Sequence, residues 1–135
     1  MDRDIADIID RYTISKLKAE RIGTEENKKE YQSFLKGIIN IKETHSTLPM
    51  DLFIEEMFRI NSTIWSLEAG LKSSKEHIPN PTYLDDEANL NTLASIGKNS
   101  ILIRDINSLR VGLKNIINKL TQTGFIDTKK GHLSE

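Results

Sequence analysis

The stretch Ile8 to Ile22, IIDRYTISKLKAERI, places apolar residues on two faces of one helix with charge between them. At 3.6 residues per turn Ile5, Ile8, Ile9, Tyr12, Ala19 and Ile22 share one face, and Ile14 and Leu17 lie roughly opposite. A single neighbour covers only one face of a helix, so this one needs packing partners on two sides. Asp10, Arg11, Thr13, Lys16, Lys18, Glu20 and Arg21 fill the positions between, where the two packing surfaces meet. The pattern predicts an assembly interface or the rim of a pocket, and a chain left incomplete as a lone subunit.

Outward from this helix, the chain has three more helical stretches and no strand, because period-2 alternation never persists. The expected fold is all-α: a single-domain helical bundle of about four helices assembling as an oligomer, with residues 1–122 as the domain and 123–135 as a C-terminal tail. Helix one is expected from about Asp2 to Ile22, closed by Gly23 in the left-handed conformation. Thr24 then caps a second helix, about Glu25 to Lys42, with Tyr31, Phe34, Leu35, Ile38 and Ile41 on one side. After a polar break from Thr44 to Pro49, the residues Met50, Phe53, Ile54, Met57, Phe58, Ile64, Trp65 and Leu71 form a broad apolar face, the strongest core signal in the chain. Pro79-Asn80-Pro81 forbids helix continuation, and Asp85 and Asp86 can cap the last helix.

That last helical region has two phases. Leu90, Leu93, Ala94 and Ile101 come first; Leu102, Ile106, Leu109, Leu113, Ile116, Ile117 and Leu120 then form a second stripe. The two differ by roughly 100° at 3.6 residues per turn, so this long helix either bends near Gly97 or changes packing partner there. Gly124 is expected to stop it.

A chain of 135 residues has the length of one compact domain, and 37% hydrophobic with 29% charged residues is a globular composition. No segment approaches the ~20 apolar residues that span a bilayer, and Met1-Asp2-Arg3-Asp4 opens acidic with no signal-like apolar run behind it. The expected location is the cytoplasm. The absence of cysteine excludes disulfides and thiolate metal sites. A net charge of −1 gives no global basic field for long nucleic acids, whereas a few convergent cations can still hold a small anion.

Asn61 and Glu68 share the apolar face of Trp65 and predict a buried polar pair. It is either a ligand-recognition group with the indole as stacking wall, or an inter-helix network in which Glu68 meets an arginine such as Arg21 or Arg104. Asp4, Asp7 and Asp10 recur every three residues, but their spacing drifts around the helix and the helix dipole accounts for acids in a first turn. His45, His77 and His132 are isolated, so neither a metal nor any other cofactor is expected. The paired Glu-x-x-Glu and Glu-x-x-Asp elements of helical nucleotide pyrophosphohydrolases are missing, as are phosphate-binding glycine loops. Arg104, Asn107, Val111 and Lys114, with Ser108 and Arg110 at one edge, lie away from the last helix's apolar stripe and read either as a solvated face or as the floor of an anion site.

The segment Asp10-Arg11-Tyr12-Thr13-Ile14 followed by Leu17-Lys18-Ala19-Glu20-Arg21-Ile22 resembles the D-[RK]-x-[ST]-I-x-x-[IL]-K-x-E-R-I opening of small helical proteins of bacteria and phages. Asn61 to Glu68 is similar to the central N-x-x-[IL]-W-x-x-E segment of that group, and Ile106-Asn107-Ser108-Leu109-Arg110 resembles its closing segment, with altered spacing. Ala69 and Gly70 depart from it, standing where an acid and a polar residue are usual. Among phage proteins of this kind the chain resembles the anti-CBASS sponges, which sequester cyclic-nucleotide immune signals. That resemblance implies a tetramer in the host cytoplasm, binding a cyclic dinucleotide such as 3′3′-cGAMP between subunits without cleaving it. The residues expected to carry binding are Arg11, Lys16, Lys18, Arg104 and Arg110 on phosphates, Tyr12 stacked on a base and Asn107 reading its edge. A structural or protein-interaction module, and a phosphate-ester hydrolase assembled across subunits, are the alternatives.

Overall fold

A computed structural model describes residues 4–76 and 87–123. They form four helices: α1 Ile5–Arg21, α2 Glu25–Thr44, α3 Met50–Glu76 and α4 Glu87–Thr121. None of these is long and apolar enough to cross a membrane. The Pro79 to Pro81 break, Asp85, Asp86, His77, His132 and residues 124–135 lie outside the described residues.

The helix ends are set by local chemistry. α1 begins three residues later than Asp2, because the Asp4 carboxylate accepts the Asp7 N–H at 2.7 Å and so sets the N-cap. Two more of its first-turn N–H groups are met from the far end of the chain: Ile5 donates to Thr123 Oγ1 at 3.2 Å and Ala6 to Asn118 Oδ1 at 3.1 Å. The close of α4 therefore caps the start of α1. Gly23 ends α1 at φ +76° with its N–H on the Lys18 carbonyl at 3.0 Å, and the Thr24 hydroxyl accepts the Asn27 N–H to open α2. α4 stops at Gln122, which takes φ 57° while the Thr123 N–H closes on the Asn118 carbonyl at 2.9 Å. The stop thus falls ahead of Gly124, on a residue without glycine's freedom.

α1 is the central element, packed against α2, α3 and α4. Ile5, Ala6, Ile9 and Tyr12 meet Ile38 and Ile41 of α2, Met50, Phe53 and Met57 of α3, and Ile117 of α4 in one core. The apolar faces expected for α2 and α3 are the ones that pack, with Tyr31, Phe34, Leu35 and Ile54 partly buried at their margins.

Two expectations change. The second face of α1 needs no other subunit: Leu17 is 1% exposed and Ile14 half-buried, because one chain supplies α1 with three neighbours. α4 is continuous through Gly97, and the face read either as solvated or as the floor of an anion site is turned largely inward, with Arg104 alone of its cations exposed. Arg110 and Lys114 are half-buried and Asn118 and Thr121 buried, whereas Leu102, Leu109, Ile116 and Leu120 are exposed.

The two left-handed stops behave oppositely on substitution. Gly23→Ala is expected to lower, and Gln122→Gly to raise, unfolding free energy by about 0.5–1 kcal/mol each in urea titrations.

Candidate functional site

The reason α4 turns this way is a buried carboxylate. Asp10 lies mid-α1 and is 2% exposed. Arg110 reaches it with two parallel bonds, Nε to Oδ1 at 2.9 Å and Nη2 to Oδ2 at 2.5 Å. Lys114, one turn further along α4, holds its Nζ 3.7 Å from Oδ2. From α3 the Asn61 amide donates to Asp10 Oδ1 at 2.9 Å and to Thr13 Oγ1 at 2.8 Å, while the Thr13 hydroxyl donates to the Asp10 carbonyl at 2.8 Å. One carboxylate thereby joins three helices, and among the described residues no buried side-chain polar atom lacks a partner.

Burial by itself would raise the Asp10 pKa. The Arg110 and Asn61 hydrogen bonds, with the charges of Arg110 and Lys114, outweigh it and hold the carboxyl below its ordinary value of 3.8. Arg110 is correspondingly held more firmly protonated, first by its bond to Asp10. Asn61 is thus part of a satisfied network, but its acid is Asp10 and not Glu68. Glu68 is exposed, and Arg21 donates instead to Ser62 Oγ at 3.2 Å with its guanidinium 6.0 Å from the Trp65 ring.

Two clefts open on either side of Ile14 and share Arg110. The first, of about 370 Å³, has Ile14, Leu17 and Ile64 as apolar lining, Trp65 as a wall, and Asn61, Glu68, Asn107 and Arg110 as polar groups. The second, of about 300 Å³, is lined by Asp7, Asp10, Glu30, Arg11, Lys18, Lys114 and Arg110. Arg11 Nε is engaged by Asp7 at 2.9 Å and Arg110 by Asp10. Lys18 has no ion pair with a described residue and Lys114 only the longer contact to Asp10, so these are the cations best placed for a further anion.

The expected site residues divide accordingly. Arg11, Lys18 and Arg110 gather at the second cleft, and Asn107 joins Arg110 at the first. Three do not join them. Tyr12 is buried with its ring stacked on Tyr31, centroids 5.6 Å apart, a position closed to a base; burial pushes its phenol above the ordinary range. Lys16 sits 4.7 Å over the Phe58 ring, and Arg104 is exposed beside Asp105. Among the described residues no three His, Cys, Asp or Glu side chains converge as a metal-holding group. The three early aspartates have separate tasks: cap, surface ion pair and buried hub.

Sequence reasoning misses Asp10 as a hub, although a signal exists. Asn61 interrupts an apolar stripe, and Arg110 and Lys114 stand one turn apart on a helix that has apolar residues to spare. Both ask for a buried acid. No protein-family model matches the chain, and neither a curated protein nor a solved structure is significantly similar to it.

Because the folded pKa of Asp10 is depressed, the unfolded chain binds more protons at acidic pH. The stability carried by Asp10 is present above the unfolded value and lost as pH falls below about 3.8 toward the folded one. Asp10→Asn, which leaves Arg110 half-buried without its counter-charge, should cost about 3–5 kcal/mol at pH 7 and flatten this acid limb in denaturant titrations at stepped pH.

Proposed function

We propose that this chain is a non-catalytic binding protein that captures a small phosphorylated ligand, and specifically a cyclic dinucleotide such as 3′3′-cGAMP. The observation that carries the reading is the adjacency of the two clefts: an indole wall with amide and carboxylate groups on one side of Ile14, and on the other the cations Arg11, Lys18 and Lys114 interleaved with Asp7, Asp10 and Glu30, the two joined at Arg110.

In this reading a base enters the first cleft against Trp65. The Asn107 amide offers both a donor and an acceptor to its edge, and Glu68 accepts from its N–H groups. Phosphate lies toward Lys18 and Lys114, with Arg11 at the rim and Arg110 fixed by Asp10 as a preorganised floor. A cleft of about 370 Å³ is at the small end of ligand sites and accommodates one base with its sugar. A ligand with two bases is then completed by a second subunit, as the resemblance to phage sponges implies. Capture without cleavage makes affinity the property that matters, at about 8 kcal/mol for a micromolar complex and about 12 for a nanomolar one. A second reading, a protein-interaction module, is favoured by one observation, the exposed apolar stripe of α4.

Trp65 is the sole tryptophan and reports on its own cleft. Titration with 3′3′-cGAMP, its linear counterpart and mononucleotides should give a saturable change in indole fluorescence with the cyclic compound at micromolar concentration or below, and the nucleotide should be recovered intact. Trp65→Leu should weaken binding, measured by calorimetry, by roughly 5- to 100-fold. No heat and no fluorescence change at millimolar ligand would overturn the reading.

A further inference from the structure

Leu102, Ile106, Leu109, Leu113, Ile116 and Leu120 recur at alternating steps of four and three along α4, which is the seam of a coiled coil. A seam of that period normally faces another helix. Here the Asp10 hub draws the opposite side of α4 into the bundle, and most of the seam is left outside: Leu109 is 64% and Ile116 53% exposed, with Leu102 and Leu120 also open, while Ile106 and Leu113 are half-buried toward the bundle. Beside it, between α3 and α4, runs an apolar groove of about 540 Å³, walled by Ile60, Thr63 and Arg59 on one side and by Ile106, Leu113 and Ile116 on the other.

We infer that this face binds a second copy of the same chain, α4 against α4, antiparallel, about a two-fold axis near Gly112. The register is set by the sequence. Opposing a residue with the one whose number completes 222 matches Leu102 with Leu120, Ile106 with Ile116 and Leu109 with Leu113, each twice, so no seam residue is left unpaired. In this register the flank residues 105, 112 and 119, each one before a seam residue, face one another by numbers that complete 224, so Asp105 of each copy meets Lys119 of the other, giving two opposite-charge pairs by symmetry. The position on the axis between these pairs is Gly112, around which nothing lies within 4 Å of where a Cβ would stand, so the two helices can approach closely there. A parallel pairing would instead direct Asp105 at Arg110 of the second copy, a guanidinium already bound to Asp10.

The seam is about 27 Å long at 1.5 Å per residue, short for an isolated coiled coil. The adjoining groove offers additional apolar surface to the second α4, with Ile60 and Thr63 on its far wall. The face lies away from the indole cleft, on the side of α4 opposite Asn107, so the pairing stands whether or not a nucleotide binds.

Sedimentation equilibrium from 1 to 100 µM tests it. The expected mass is twice that of the 15.4 kDa chain. Leu109→Asp should give a monomer with unchanged helical circular dichroism, because Leu109 is exposed within one subunit. Asp105→Lys or Lys119→Asp alone should weaken the dimer roughly 3- to 10-fold, and the double exchange should restore it, as only the antiparallel register allows. A monomeric wild type at 100 µM, an assembly indifferent to Leu109→Asp, or a double exchange that fails to restore pairing would overturn the inference.

Discussion

A carboxylate with almost no contact with water, on a helix surrounded by its own chain, must be neutralised where it lies. Asp10 imposes that demand, and the rest of the bundle is arranged around it. Two cations one turn apart on α4 and an amide on α3 answer it, so α4 presents only the edge of its apolar stripe to the core, through Ile117 and Leu113. Desolvating an ion pair contributes little net stability compared with apolar packing. What it contributes is orientation: the pair turns the Arg110 side of α4 toward α1, and the capping of α1 by Asn118 and Thr123 holds the end of α4 to the same helix.

This explains which parts of the fold are legible in the sequence. The faces of α2 and α3 can be read from period alone, because each has one apolar side and one chain to bury it against. The caps at Thr24 and Gly23 are legible because their chemistry is local. α4 is not. Periodicity locates a stripe but does not say whether it turns toward the core or away, and the deciding contact joins residues 100 positions apart. Asp10 is hidden for a related reason, since an acid in the run Asp4, Asp7, Asp10 already has a sufficient local explanation in the helix dipole. The two-sided pattern of α1 points to the need for several neighbours and is silent on whether they belong to the same chain.

Of the candidate site, the cationic contributors Arg11, Lys18 and Arg110 and the amide of Asn107 are readable, because charged residues between two apolar faces must emerge at a rim. Tyr12 illustrates the limit. An aromatic on a buried stripe has the same spacing as one lining a cleft, and only the proximity of Tyr31 decides between them. The hub holds Arg110 between two clefts, and by the same contact turns much of the apolar stripe of α4 outward. The candidate site and the surface inferred to pair two copies thus both trace to one interaction.

The most direct measurement of that claim is a double-mutant cycle between Asp10 and Arg110, using Asp10→Asn, Arg110→Met and the pair, with unfolding free energies from urea denaturation at pH 7. The account predicts a coupling of at least about 2 kcal/mol, with the double variant much closer to wild type than the sum of the single losses. Additive losses, agreeing within about 0.5 kcal/mol, would contradict it and would mean that α4 is held in place by something other than this pair.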